Sequence, residues 1–263
     1  MLMTTTIHEE ISQRVIGAIE RGQVPPWRRE VSDLENDGFP THPATHKPFK
    51  GVDVLLMNMA ATVKGFLSKF WGSEQEWAYL HCTPTGQATI LADGMQVFNA
   101  DQLLSRGSVA YRSRRRSSPV VADYSKAEGV IKASGADIRH QHGLEAAYYY
   151  KDDYIIFPHK WQFVEGPGGI NAYYDSLFHE LSGHWTETRL GWSAIPLVNE
   201  MRAEIAAPFT TAQLGLPIFA DMEKLPNHNK HLDRWVRAMQ DDPTLIFHVA
   251  ADASQAVAYL FSL

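Results

Sequence analysis

The residues that point most directly to chemistry lie between His179 and His184. This segment reads HELSGH, so Glu180 directly follows the first of two histidines. Two histidines on one helix face bind zinc, and a glutamate placed directly after the first acts as a general base. The chain has a single cysteine, Cys82, which excludes a metal site built from several thiolates. The segment therefore predicts a zinc-dependent peptide hydrolase.

The spacing of the two histidines departs from the usual motif, in which they stand four residues apart. Here they stand five apart, and in a regular α-helix five residues rotate the second ring by roughly 140° away from the first. One wide π-turn absorbs the extra residue, and such turns occur mostly at functional sites. Gly183 is the residue best able to accept an unusual backbone there. The sequence thus predicts a widened helix at Ser182–Gly183.

The next predicted helix carries two carboxylates, Glu200 and Glu204, four residues apart on one face. A zinc site with two histidines needs a third protein ligand, and a ligating histidine needs an acceptor that fixes its tautomer. The pair suits these two tasks, and its spacing does not decide which glutamate takes which. The alternatives are an exposed acidic helix face and histidines that are ordinary core residues.

Mostly helical elements must position these residues. Helical patterns cover residues 7–23, 51–66, 171–190, 197–215, 227–240 and 243–263, with shorter helices at 74–80 and 125–131. Strand-like runs cover 87–92, 95–100, 108–113 and two stretches within 146–163. Strands followed by helices favour an α+β fold. A small, polar, basic stretch from 112 to 136 predicts a boundary between domains of residues 1–120 and 121–263.

Composition and charge limit the other functions. The N-terminus has no basic stretch leading into an apolar one, and no apolar run is long enough for a membrane span, so a cytoplasmic protein is expected. The net charge of −6 argues against a general nucleic-acid binder. Arginines nevertheless concentrate near residue 114, a pattern typical of phosphate contacts. A solvated basic linker explains the same pattern equally well.

The metal motif is similar to that of the dipeptidyl peptidase III family. HELSGH followed by NEMRAE matches that family's local signature, which also carries one extra residue between its histidine ligands. The resemblance implies that His179, His184 and Glu200 are the metal ligands and that Glu180 is the catalytic base. It implies that Glu204 supports a ligand rather than binding the metal.

Over most of its length the chain resembles the ArdC antirestriction family of plasmids and other mobile elements. The landmarks occur in the family's order: VPPWRR, THKPFKGVDVLL, VFNADQ, DDYIIFPHKWQF, and the helices that carry the metal motif. The resemblance implies an N-terminal α/β domain that binds single-stranded DNA, followed by a zincin-like metallopeptidase domain. In that family the two histidines are usually four residues apart, whereas in this chain they are five apart.

Basic and aromatic residues of the N-terminal domain would suit a groove for a single strand, where rings stack on bases and cations follow the backbone. These residues are Trp27, Arg28, Lys50, Arg112, Arg114, Arg115 and Arg116. Trp27 also fits a position in the core.

Two functions are therefore expected. The first is hydrolysis of a protein or peptide substrate with Zn²⁺ as cofactor. The second belongs to a different class: a non-catalytic antirestriction protein that protects single-stranded DNA by occupying it.

Overall fold

The computed structural model describes residues 6–29, 34–35, 38–104, 109–112, 114–115, 124–143, 145–164, 166, 168–192, 195–218 and 228–263. The helices of this part are α1 Ile7–Glu20, α2 Val52–Lys64, α3 Glu74–Tyr79, α4 Ser125–Ser134, α5 Trp161–Val164, α6 Gly169–Phe178, α7 Thr186–Leu190, α8 Pro196–Gln213, α9 His228–Asp241 and α10 Leu245–Leu260. A π-helix, His179–Trp185, joins α6 to α7. The strands are β1 Leu34–Glu35, β2 Trp71–Gly72, β3 Thr89–Ile90, β4 Gln96–Asn99, β5 Arg114–Arg115, β6 Asp137–Gln141, β7 Ala147–Tyr149 and β8 Tyr154–Pro158.

The strands form three small sheets. β1 pairs antiparallel with β5, and β4 lies between its antiparallel partners β2 and β3. In the third sheet β8 is central, parallel to β6 and antiparallel to β7. Helices and small sheets together confirm the α+β prediction. Within the described residues, no helix is both long and apolar enough to cross a bilayer.

Helix starts are encoded locally. Thr6 caps α1 and Ser73 caps α3, each reciprocated by the glutamate three residues later, Glu9 and Glu76. In α1, apolar residues at helical spacing are buried, among them Val15, which is 0% exposed. The sequence thus predicted this helix, although it ends at Glu20 rather than at residue 23 and Ile7 at its start is exposed.

The largest hydrophobic cluster combines the two halves of the chain. Residues of α1 and α2 pack there against residues of α8, α9 and α10. A second cluster lies under the third sheet and includes residues of α6, the π-helix and the C-terminal end of α8. The predicted boundary at residue 120 remains a prediction, and packing is continuous across it.

Two differences from the strand predictions stand out: one predicted run is not a strand, and one observed strand was not predicted. The run 108–113 was expected to be a strand, but its described part, 109–112, forms a helical turn and a bend. Conversely, β6 was not predicted, because DIRHQ is largely exposed and polar and has no alternating apolar pattern. Backbone pairing with β8 makes this segment a strand, although its side chains do not indicate one.

Candidate metal centre

The π-helix brings the two histidines of the motif together. The ring centroids of His179 and His184 lie 5.2 Å apart, and ligand atoms of both rings and of Glu180 all lie within 4.8 Å of one another. The predicted widened turn is thus confirmed. Side-chain hydroxyls accompany it: Ser182 donates to the Phe178 carbonyl, and Thr186 donates to the Ser182 carbonyl at 2.8 Å.

Gly183 has a different role from the one its sequence position suggests. Its φ does not lie in the left-handed region. Instead, a Cβ at this position would lie 2.2 Å from the Cβ and 2.5 Å from the Cα of Ala203. Glycine is therefore required because the π-helix packs directly on the backbone of α8, and this contact brings Glu200 of α8 to the histidines.

Glu200 lies between the two rings. Its Oε2 is 3.6 Å from the Nε2 of His179, and its Oε1 is 3.7 Å from the Nε2 of His184. These separations are long for hydrogen bonds. They are close to the roughly 3.4 Å expected between two ligand atoms that each lie about 2.1 Å from one tetrahedral ion. Two imidazole nitrogens and a carboxylate oxygen thus fit a divalent metal ion.

The charges of the site favour a cation. Burial alone would lower the pKa of His179, but Glu200, Glu180 and Glu204 together raise it to about 9. In turn, His179 lowers the pKa of Glu200. A positive charge between these groups is therefore stabilised, whether a proton or a metal ion carries it.

A polar chain behind His184 fixes its tautomer. The hydroxyl of Tyr150 donates to Glu187 at 2.8 Å and lies 3.2 Å from the Nδ1 of His184. Because its only proton goes to Glu187, this hydroxyl accepts the Nδ1 proton of His184, and Nε2 keeps its lone pair for a metal. Arg202 holds Glu187 at 3.1 Å.

Sequence reasoning missed Tyr150, Glu187 and Arg202. Glu187 stands three residues after His184, one helical turn on, and this spacing could have indicated it. No local pattern connects Tyr150, at the end of β7, with the π-helix.

The structure separates the tasks of the two α8 carboxylates. Glu204 accepts from the Nε of Arg28 at 2.6 Å and from the Nε1 of Trp27 at 3.4 Å. Arg28 also donates to Asp175 of α6 at 2.9 Å. Arg28 therefore links Glu204 of α8 to Asp175 of α6.

These contacts correct the prediction that Trp27 and Arg28 contact DNA. Each residue is 2% exposed, Trp27 within the largest hydrophobic cluster and Arg28 in ion pairs with Asp175 and Glu204. A side chain so enclosed cannot stack on a base or follow a phosphate backbone.

The other predicted DNA contacts are distributed differently. Lys50 is exposed and Arg112 is half-buried. Arg114 and Arg115 form β5, where they pair with Glu35 and Leu34 of β1. Arg116 lies outside the described residues.

The metal ligand candidates line a cleft of about 440 Å³. Its lining also includes Pro158, Phe163, and His231 and Trp235 of α9. The ring of His231 stacks on Trp235 at 5.8 Å. The site therefore has an accessible space next to the histidines in which a substrate could bind.

Comparisons with known proteins agree with this architecture. Residues 5–126 match the model of the N-terminal domain of the anti-restriction factor ArdC, and residues 125–252 match a zincin-like metallopeptidase model. Taken together, the two matches make the chain similar to ArdC-like proteins from residue 5 to residue 252. It combines an ArdC-like N-terminal domain with a zincin-like domain, as the sequence predicted.

Solved ArdC structures share the fold over the whole chain. The metal-free structure of the antirestriction protein ArdC from plasmid R388 is 25% identical, with a TM-score of 0.74 over 97% of this chain and 96% of that one. Its Mn(II)-bound structure is 27% identical, with a TM-score of 0.73 over 98% and 97%. That relative has thus been solved both without a metal and with Mn(II) bound.

A longer relative also contains this region. The DNA primase TraC of Escherichia coli is 26% identical over 97% of the chain, which spans only 20% of the length of that relative.

Proposed function

We propose that this ArdC-like chain is a zinc-dependent peptidase whose metal is held by His179, His184 and Glu200. The observation that carries the proposal is the placement of both Nε2 atoms at ligand separations from one carboxylate. Nitrogen and carboxylate donors without thiolates suit zinc in a hydrolytic site, where three protein ligands leave one position open.

The proposed metal, Glu180 and His231 would then have distinct roles in hydrolysis. Bound zinc would lower the pKa of a water from about 15.7 toward 7 and polarise a peptide carbonyl. Glu180, 7% exposed and beside both histidines, would take the proton and deliver it to the leaving amine. His231, which also lines the cleft, would stabilise the negative charge that develops on the carbonyl oxygen.

His231 is the residue favoured for that last task among the nearby candidates. Tyr173 is hydrogen-bonded to His140, and Tyr174 to Glu128 and Lys160, away from the metal ligand candidates. Neither tyrosine lines the cleft. The substrate class that fits is an extended peptide or an exposed protein segment.

Zinc content tests the ligand assignment. The purified chain is expected to contain close to one zinc per molecule, and His184→Ala to bind zinc more than about 100-fold more weakly, because it loses one of three ligands. Elemental analysis and competition with a chromogenic chelator measure both. His248→Ala, on exposed α10 surface, is the matched control. Wild-type zinc affinity in His184→Ala would reject the assignment.

We propose, as a second function, that the N-terminal region binds single-stranded DNA and that the chain protects such DNA from restriction in the cytoplasm. Cations of this region favour it. Lys47 and Lys50 are exposed and lie on or beside the 41–48 hairpin, and the half-buried Lys69 lies over the Phe70 ring at 5.3 Å. The name of the solved ArdC relative supports it. In the alternative form of this proposal the protein acts by occupancy alone, without peptide cleavage.

Salt dependence tests DNA binding. Binding of a fluorescent oligonucleotide is expected to weaken steeply with salt, and Lys50→Ala to reduce the slope of log K against log salt by about 0.7, the value for one phosphate contact on a single strand. Anisotropy titrations measure it. The same affinity in Glu180→Gln would separate DNA binding from peptidase chemistry. No binding at low salt would reject this function.

A further inference from the structure

Glu200 and Glu204 lie one helical turn apart on α8 and line the same cleft, yet they have different partners. Glu200 is shared by the two histidine rings. Glu204 accepts a 2.6 Å hydrogen bond from Arg28 and lines the cleft together with both histidines. Residue type and helix face alone would allow either carboxylate to reach the metal.

Arg28 is rigidly held by the N-terminal half of the chain. Asn58 of α2 donates to the Pro26 carbonyl at 2.8 Å, and Arg29 donates to the Leu67 carbonyl at 3.0 Å. Its guanidinium therefore reaches Glu204 and Asp175 from a fixed backbone. Each carboxylate receives one charge-assisted hydrogen bond from this buried guanidinium, which holds it more firmly than an exposed ion pair would.

The position of this guanidinium has a chemical consequence for the metal. A carboxylate paired with arginine is a poor competitor for a cation, because binding the ion would leave the buried guanidinium without that partner. Without Arg28, Glu204 would lose its shortest charge-assisted hydrogen bond, at 2.6 Å, and a nearby divalent ion would attract the carboxylate more strongly than its remaining neutral donor does. A fourth protein ligand would then occupy the position that a hydrolytic site keeps open.

We infer that Arg28 is a positioning residue that makes Glu200, and not Glu204, the carboxylate ligand and so keeps one coordination position open. This inference rests on the proposed metal site. A residue of the N-terminal region, Arg28, would thus help to build the metal site of the C-terminal region.

Cobalt substitution gives a readout that does not depend on activity. Four-coordinate Co(II) absorbs visible light more strongly than five-coordinate Co(II), so the spectrum reports the entry of an extra ligand. In Arg28→Met, with Glu204 released, we expect the visible absorption of bound Co(II) to fall by about twofold or more. In the double variant R28M/E204Q no carboxylate is available to enter, and we expect the wild-type spectrum to return.

Restoration by the second substitution distinguishes positioning from a merely structural role, since a general loss of packing would not be repaired by Glu204→Gln. Where Arg28→Met does not fold, Arg28→Lys replaces it: it keeps the charge, loses the planar fork, and is expected to show a smaller change in the same direction.

A folded Arg28 variant with the wild-type Co(II) spectrum would overturn the inference, as would failure of the double variant to restore that spectrum. Absence of Co(II) binding by the wild-type chain would overturn the metal site itself, which separates the two failures.

Discussion

Glu180→Gln is expected to reduce peptide cleavage by about 10²- to 10⁴-fold, the range for loss of a general base, while zinc content stays at the wild-type level. The amide keeps the size of the side chain but cannot take a proton. Glu180 is buried beside both histidines, so a proton acceptor from solution cannot easily take over its role. Initial rates on a quenched peptide library, with zinc measured in the same samples, test this.

The matched control is Glu10→Gln, an exposed glutamate in the first turn of α1, which is expected to cleave at the wild-type rate. Addition of a chelator should abolish cleavage by the wild-type chain, and zinc should restore it. Undiminished cleavage by Glu180→Gln with zinc bound would contradict the assigned mechanism. Loss of both zinc and cleavage would mean that Glu180 acts mainly as a ligand.

Gly183→Ala is expected to remove zinc binding and to lower the free energy of unfolding by about 1–3 kcal/mol, the usual cost of overpacking. The added methyl group would lie 2.2 Å from the Cβ of Ala203 and 2.5 Å from its Cα. The contact is with backbone as well as side chain, so the π-helix and α8 must separate. Because His184 lies on one of these elements and Glu200 on the other, their separation spreads the ligands.

Thermal unfolding and zinc titration measure the two effects. Gly129→Ala is the matched control, because it lies inside α4 with no atom within 4 Å of the added Cβ and should be neutral or stabilising by up to about 1 kcal/mol. Ala203→Gly in the Gly183→Ala background removes the nearer contact and is expected to restore part of the affinity. A Gly183→Ala protein with wild-type zinc affinity and stability would show that the close approach is not required.

The sequence alone carried much of this site. The pair of histidines with an intervening glutamate indicated the chemistry, and their five-residue spacing implied a widened turn, because helix geometry leaves no other way to bring both rings to one face. The Glu200 and Glu204 pair indicated the second helix by the same rule. Apolar patterns predicted α1 and α2 to within three residues at each end. Each of these features depends on residues within one or two helical turns.

Only the tertiary structure decided how those pieces are used. Arg28 and Glu204 are 176 positions apart in the chain, and Arg28 could equally have been an exposed DNA contact until its burial was known. The same holds for Tyr150 behind His184, and for Gly183, whose requirement comes from Ala203 on another helix. Helix periodicity determines which side chains lie on one face, whereas packing between distant segments determines which residues that face contacts. The choice of the metal's carboxylate therefore belongs to the fold and not to the motif.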